Sequence, residues 1–251
     1  MLITPDFVFI HMPKTGGTFV TKMLQKVYGT EAKLHGRKHG TCEEIPEGER
    51  EKPIVSVFRS PFDRYISQFH YAWWKTNPQE YCEVDLLKKA YPSYPDLSFS
   101  DFVHVANRYF TNAHRGQANG YSNDYLDEQN QMGWHTEQFI RFFCRQPATA
   151  FASVRDENLH GGKIKAFEYP VEFMHTERLN QDLASLLSRF DISTENLKSV
   201  LEHDRILPKQ SFEKRLEQGP EQYFDDALSG YLSRREQYLF NKFPQYQSAC
   251  I

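Results

Sequence analysis

One pattern, used twice, constrains this chain most: a short, almost purely apolar run, followed at once by a turn and then by an amphipathic stretch. Phe7 to Ile10 is the first run, and Pro13 to Thr18 turns it into a segment of helical periodicity ending near Gly29. Pro53 to Phe58 is the second, followed by Arg59, Ser60 and Pro61, where serine suits a helix N-cap and proline the first helical position. Runs without polar alternation suit strands covered on both faces, which a parallel sheet flanked by helices provides. The expected fold is α/β, with a central parallel β-sheet and helices on both of its faces.

The remainder fits one domain over residues 1–251. From Thr76 to about Gly133 the pattern weakens into Pro, Tyr, Asn and Gly around one helical stretch, Phe99 to Tyr109. That reads as a helical and loop insertion, where a specificity pocket or lid would sit. Glu137 to Phe143 is helical in pattern and Val171 to Met174 is a candidate strand. Thr176 can then cap a helix whose Leu179, Leu183, Leu186, Leu187 and Phe190 share one face. Glu221 to Phe243 gives a helical C-terminus.

A net charge of −3 disfavours a general nucleic-acid binder, which needs a basic excess, and mildly disfavours a long polyanionic acceptor. The opening MLITPDFVFIHMPK has neither a cleavable small-residue site nor the length of a membrane span, so the expected location is cytoplasmic, without a membrane partner. Cys42, Cys82, Cys144 and Cys250 are scattered, with no metal-binding spacing, and read as reduced structural thiols. No metal is expected.

Pro13-Lys14-Thr15-Gly16-Gly17-Thr18 lies between a buried strand and a helix, where backbone N–H groups can converge on an anion at the positive end of the helix dipole. Lys14 adds a mobile charge, and the hydroxyls of Thr15 and Thr18 suit phosphate or sulfate oxygens. The Lys precedes the glycines, so the order is not that of a Walker loop. A plain Gly-Gly turn is the alternative. The fuller string, Phe9 to Thr18, resembles the 5′-phosphosulfate loop of sulfotransferases that use 3′-phosphoadenosine 5′-phosphosulfate (PAPS), in the branch containing heparan sulfate 2-O- and 6-O-sulfotransferases and bacterial relatives, where it reads H-x-P-K-T-G-G-T. That resemblance implies a P-loop-like sheet, Lys14 on the bridging oxygen of the leaving phosphate, and Thr15, Gly16, Gly17 and Thr18 around the phosphosulfate.

Arg59 sits at the carboxyl end of the second strand, where open α/β sheets bind ligands, and a guanidinium fork suits a phosphate. The string from Val57 to Ser67 resembles the family's 3′-phosphate motif, R-x-P-x-x-R-x-x-S, with Arg59 and Ser67 expected on the ligand and Arg64 as a support for the turn. Lys38-His39-Gly40-Thr41 resembles a K-H-x-T segment of bacterial members, which makes His39 the expected general base. His35, His70 and Glu137 stay open as alternatives, and His11 reads as a packed support. His70, Trp73 and Trp74 suit either a pocket wall or core. The resemblance covers about residues 7–71. Beyond it, Phe173 to Leu179 looks like a degraded R-x-E-x-L segment, with His175 in place of Arg, and Lys209, within Pro208-Lys209-Gln210-Ser211, is a further candidate phosphate contact. The resulting expectation is sulfuryl transfer from PAPS to a hydroxyl or amine of a small molecule or saccharide, without metal. A non-catalytic nucleotide-binding scaffold and a nucleotide kinase are the competing classes.

Overall fold

The computed structural model describes residues 1–110, 132–153, 162–204 and 222–247. In chain order they form β1 (Leu2–Ile3), β2 (Val8–Ile10), α1 (Gly17–Tyr28), β3 (Lys33–Leu34), β4 (Ile54–Phe58), α2 (Pro61–Tyr71), α3 (Trp73–Thr76), α4 (Val84–Ala90) and α5 (Phe99–Arg108). There follow α6 (Trp134–Phe143), α7 (Pro147–Ala152), α8 (Gly162–Lys165), β5 (Val171–His175), α9 (Leu179–Leu187), α10 (Thr194–Leu201) and helices Asp226–Arg235 and Gln237–Lys242. The chain divides into two compact units, Met1–Arg59 with Tyr169–Pro208, and Ser60–Glu168 with Lys209–Ile251.

The first unit holds the whole sheet, in the order β3-β1-β2-β4-β5. β2, β4 and β5 are parallel, with Phe9 beside Val55 and Val57 beside Met174, whereas β1 is antiparallel to both β2 and β3. The sheet is therefore mixed, not wholly parallel as the sequence pattern suggests. Only Thr4 to Phe7 separate β1 from β2, in a turn closed by the Phe7 N–H donating to Thr4 Oγ1 at 3.0 Å and the Thr4 N–H donating to Phe7 O at 3.0 Å. So short a link doubles the chain back, while parallel neighbours need a crossover of about a dozen residues or more.

Phe9, Val55, Val57 and Met174 share one face of the sheet and pack with Val20 and Leu24 of α1 and Leu183 and Leu187 of α9 in a single buried cluster. Val8, Ile10, Ile54, Ser56 and Phe58, which point the other way along the same strands, are also buried. Both apolar runs lack polar alternation for that reason. Ser56 is tolerated there because its hydroxyl donates to Ile10 O at 2.8 Å, tying β4 to β2.

The second unit is helical. Every residue of α6 is buried, so its polar side chains need partners inside the protein. The carboxylate of Glu236 serves one of them, Thr136, together with backbone groups at the helix start. It accepts from Tyr65 Oη at 2.8 Å, from the His135 and Thr136 backbone N–H groups at 2.9 and 2.8 Å, and from Thr136 Oγ1 at 2.7 Å. Glu236 thus caps α6 from a distance, at a helix start where Gly133 offers no side chain. A Cβ on Gly133 would lie 2.3 Å from that carboxylate, so glycine is needed there. The helical pattern from Glu221 to Phe243 is split at Glu236, between Asp226–Arg235 and Gln237–Lys242.

Arg64 belongs to the same buried network. Its guanidinium donates to Gln138 Oε1 of α6, and burial pulls its pKa down to about 9, against the favourable charges of Glu236 and Glu137. It remains a cation at neutral pH. Arg64 is therefore an internal support.

Cys42, Cys82 and Cys144 are free thiols. Among the described residues no helix is long and apolar enough to cross a membrane, and no group of three or more His, Cys, Asp or Glu is placed to hold a metal ion. Cys250, the segment Pro208 to Ser211 with Lys209, and much of the expected insertion lie outside the described residues.

Candidate functional site

The loop after β2 owes its shape to two left-handed residues, Lys14 at φ 64° and Gly16 at φ 98°. Glycine takes such a φ freely, whereas for lysine it carries a strain of about 1 kcal/mol. Gly16 is the N-cap of α1; it makes no side-chain cap and the first helical turn carries no acid. The first-turn N–H groups and the dipole of this 12-residue helix therefore stand without a competing carboxylate of their own helix.

Both glycines also answer to packing. A Cβ on Gly16 would come within 2.8 Å of Leu179 Cδ2, and one on Gly17 within 2.4 Å of the His11 ring. The Thr15 hydroxyl, buried, donates to Met12 O at 3.0 Å, so its hydrogen is used inside the loop and only its backbone is left for an anion. Thr18 is exposed, with Lys38 Nζ 3.4 Å from its hydroxyl oxygen.

Two further strand ends reach this loop. Arg59, directly after β4, donates from Nη1 to Lys14 O at 3.4 Å, at the long end of hydrogen bonding. Thr176, directly after β5, places its Oγ1 2.8 Å from Thr15 O and 3.1 Å from Phe58 O. The carboxyl ends of the three parallel strands thus meet at one loop, the position at which open α/β sheets bind ligands. Thr176 does not cap α9 as the sequence suggests. Arg178 is the N-cap there and no side chain caps the helix, because the threonine hydroxyl is engaged with the loop.

His39 is half-buried at the same loop. Its Nδ1 lies 2.7 Å from His11 O, and a carbonyl only accepts, so Nδ1 carries a proton; in the neutral form of the ring the lone pair is then on Nε2. The rings of His11 and His39 meet edge to face at 4.7 Å. His11 itself is buried; burial first, then the nearby charges of His39 and Lys38, push its pKa down to about 2. It is a neutral packed support, as its position suggests.

The alternatives to His39 are distributed over both units. His35 is exposed beside β3, where its N–H donates to Met1 O at 3.1 Å. His70 and Glu137 belong to the second unit: a ring nitrogen of His70 is 2.6 Å from Tyr223 Oη, and Glu137 is buried near Arg64. Ser67 is buried on α2, also in the second unit. Ser60 does occupy the N-cap of α2 with Pro61 at the first position, but its buried hydroxyl makes no cap bond and has no hydrogen-bond partner among the described residues. Trp74 is a core residue; Trp73 is exposed, its Nε1 donating to Glu80 at 2.8 Å. His175 donates its backbone N–H to Asp182 at 2.8 Å.

Sequence reasoning missed Thr176 as a loop contact. A hydroxyl residue immediately after a parallel strand was the available signal, since that is where ligand loops gather. No protein-family model matches this chain, and comparison with curated proteins gives no match.

Proposed function

We propose that this chain is a sulfotransferase that moves a sulfuryl group from PAPS to a hydroxyl or amine of a small-molecule or saccharide acceptor, in the cytoplasm. The observation that carries the reading is the gathering of Lys14, Arg59, an uncapped α1 N-terminus and His39 at one loop, on residues that resemble the family's motifs. Two cations, main-chain N–H groups and an imidazole suit a reaction that needs charge stabilisation and one proton acceptor.

In this mechanism Nε2 of His39 takes the acceptor proton as the acceptor oxygen or nitrogen bonds to sulfur. The bond between sulfur and the bridging oxygen breaks in line, and Lys14 meets the charge that develops on the departing phosphate. The products are the sulfated acceptor and adenosine 3′,5′-bisphosphate. The sequence motif that begins at Arg59 is assigned the 3′-phosphate.

The test is incubation with PAPS and an acceptor panel, read by mass. Gain of one sulfuryl group and release of adenosine 3′,5′-bisphosphate are expected, with both lost in Lys14→Ala. Phosphoryl transfer from ATP with magnesium in place of PAPS would favour a kinase. Nucleotide binding with no transfer to any acceptor would favour a scaffold.

A further inference from the structure

We propose that Thr176 is a positioning residue of the anion loop, fixing the direction in which the Gly16 N–H points. One hydroxyl faces two carbonyls, Thr15 O at 2.8 Å and Phe58 O at 3.1 Å. A threonine has a single hydroxyl hydrogen, and the shorter distance assigns the stronger bond to Thr15 O. Thr15 O and the Gly16 N–H belong to one planar trans peptide, in which the oxygen and the hydrogen point in opposite directions. Holding the oxygen toward β5 therefore turns the Gly16 N–H to the other side of the loop.

Gly16 stands at φ 98°, in the region where a residue without a Cβ has the widest conformational freedom, so the orientation of that peptide depends on its partners. Leu179 packs beside the Gly16 Cα: a Cβ there would meet its Cδ2 at 2.8 Å. Thr176 also spans to the carbonyl that precedes Arg59, so one side chain ties the phosphate loop to the end of β4. A role in holding α9 does not explain this geometry, since Thr176 makes no cap bond there.

The proposal rests on reading the loop as the anion site. Its test compares wild type, Thr176→Val and Thr176→Ser by calorimetric titration with inorganic sulfate and, separately, with adenosine 3′,5′-bisphosphate, and by hydrogen exchange at the Gly16 amide. Thr176→Val keeps shape and volume without the donor. It is expected to weaken both ligands about three- to tenfold, the effect of one net hydrogen bond, and to speed Gly16 exchange. Thr176→Ser is expected within about twofold of wild type, because it retains the donor. Equal affinities in wild type and Thr176→Val, or a serine variant as weak as the valine one, overturn the proposal. So does a wild type that binds neither ligand. Sulfate binding that responds to Thr176→Val, with no affinity for the bisphosphate, leaves the positioning role standing and removes the PAPS reading.

Discussion

Replacing Gly17 by alanine sets two effects of known sign against each other. In an ordinary helix the change stabilises by about 0.4–1 kcal/mol, through helix propensity and a less flexible unfolded chain. Here the new Cβ would stand 2.4 Å from His11 Cδ2, 2.6 Å from Nε2 and 2.8 Å from Cγ. Carbon contacts are comfortable at about 3.5–4.0 Å, so the ring must retreat by about 1 Å. It has little room, being 4% exposed and packed against His39 at 4.7 Å and Phe9 at 5.9 Å. Overpacking of this kind costs about 1–3 kcal/mol, so the clash wins and Gly17→Ala is expected to destabilise by about 1–2 kcal/mol. Urea denaturation followed by circular dichroism measures it. Combining Gly17→Ala with His11→Ala is expected to cost less than the sum of the two, because the smaller side chain removes the clash. A Gly17→Ala protein as stable as wild type, or strict additivity in the double variant, refutes the reasoning.

Lys14→Gly and Lys14→Ala are both expected to lose transfer by about a hundredfold or more, since each removes the charge; only the glycine variant is expected to gain stability, by about 1 kcal/mol, because φ 64° strains any residue with a Cβ. His11 sets a pH dependence. With its pKa held near 2 in the folded chain and at its ordinary 6.5 in the unfolded one, the unfolded state binds the extra proton below 6.5. Stability is therefore full above about pH 6.5 and falls as the pH drops, by about 2 kcal/mol at pH 5, and denaturation of His11→Asn should lack that slope. Glu236→Ala strips four acceptor bonds from α2 and α6 and is expected to cost about 3–5 kcal/mol by chemical denaturation, more than Glu236→Gln, which keeps part of the set.

The candidate site divides in the same way as these effects. Lys14, Gly16, Gly17 and Arg59 were legible because each falls within a few residues of the end of a short apolar run, and strand, turn and helix start depend on neighbours that close. His39 emerged only from the resemblance of its segment to one in bacterial sulfotransferases, while its hold on His11 O joins positions 28 apart in the chain. Ser60 shows the limit of local signals: the N-cap position was correct, yet its hydroxyl makes no cap bond.

By itself, then, the order of residues determined the α/β class, the places where strands hand over to helices, and which loop carries the charge and the glycines. Tertiary structure alone decided that the sheet is mixed, that Thr176 serves a loop 161 positions away instead of capping its own helix, and that Glu236, at the junction of two helices, caps another 100 positions distant. The reason is physical. Apolar periodicity and turn chemistry act over a few residues, whereas a hydroxyl or carboxylate takes whichever unsatisfied backbone group folding brings within about 3 Å, and no local pattern records that choice.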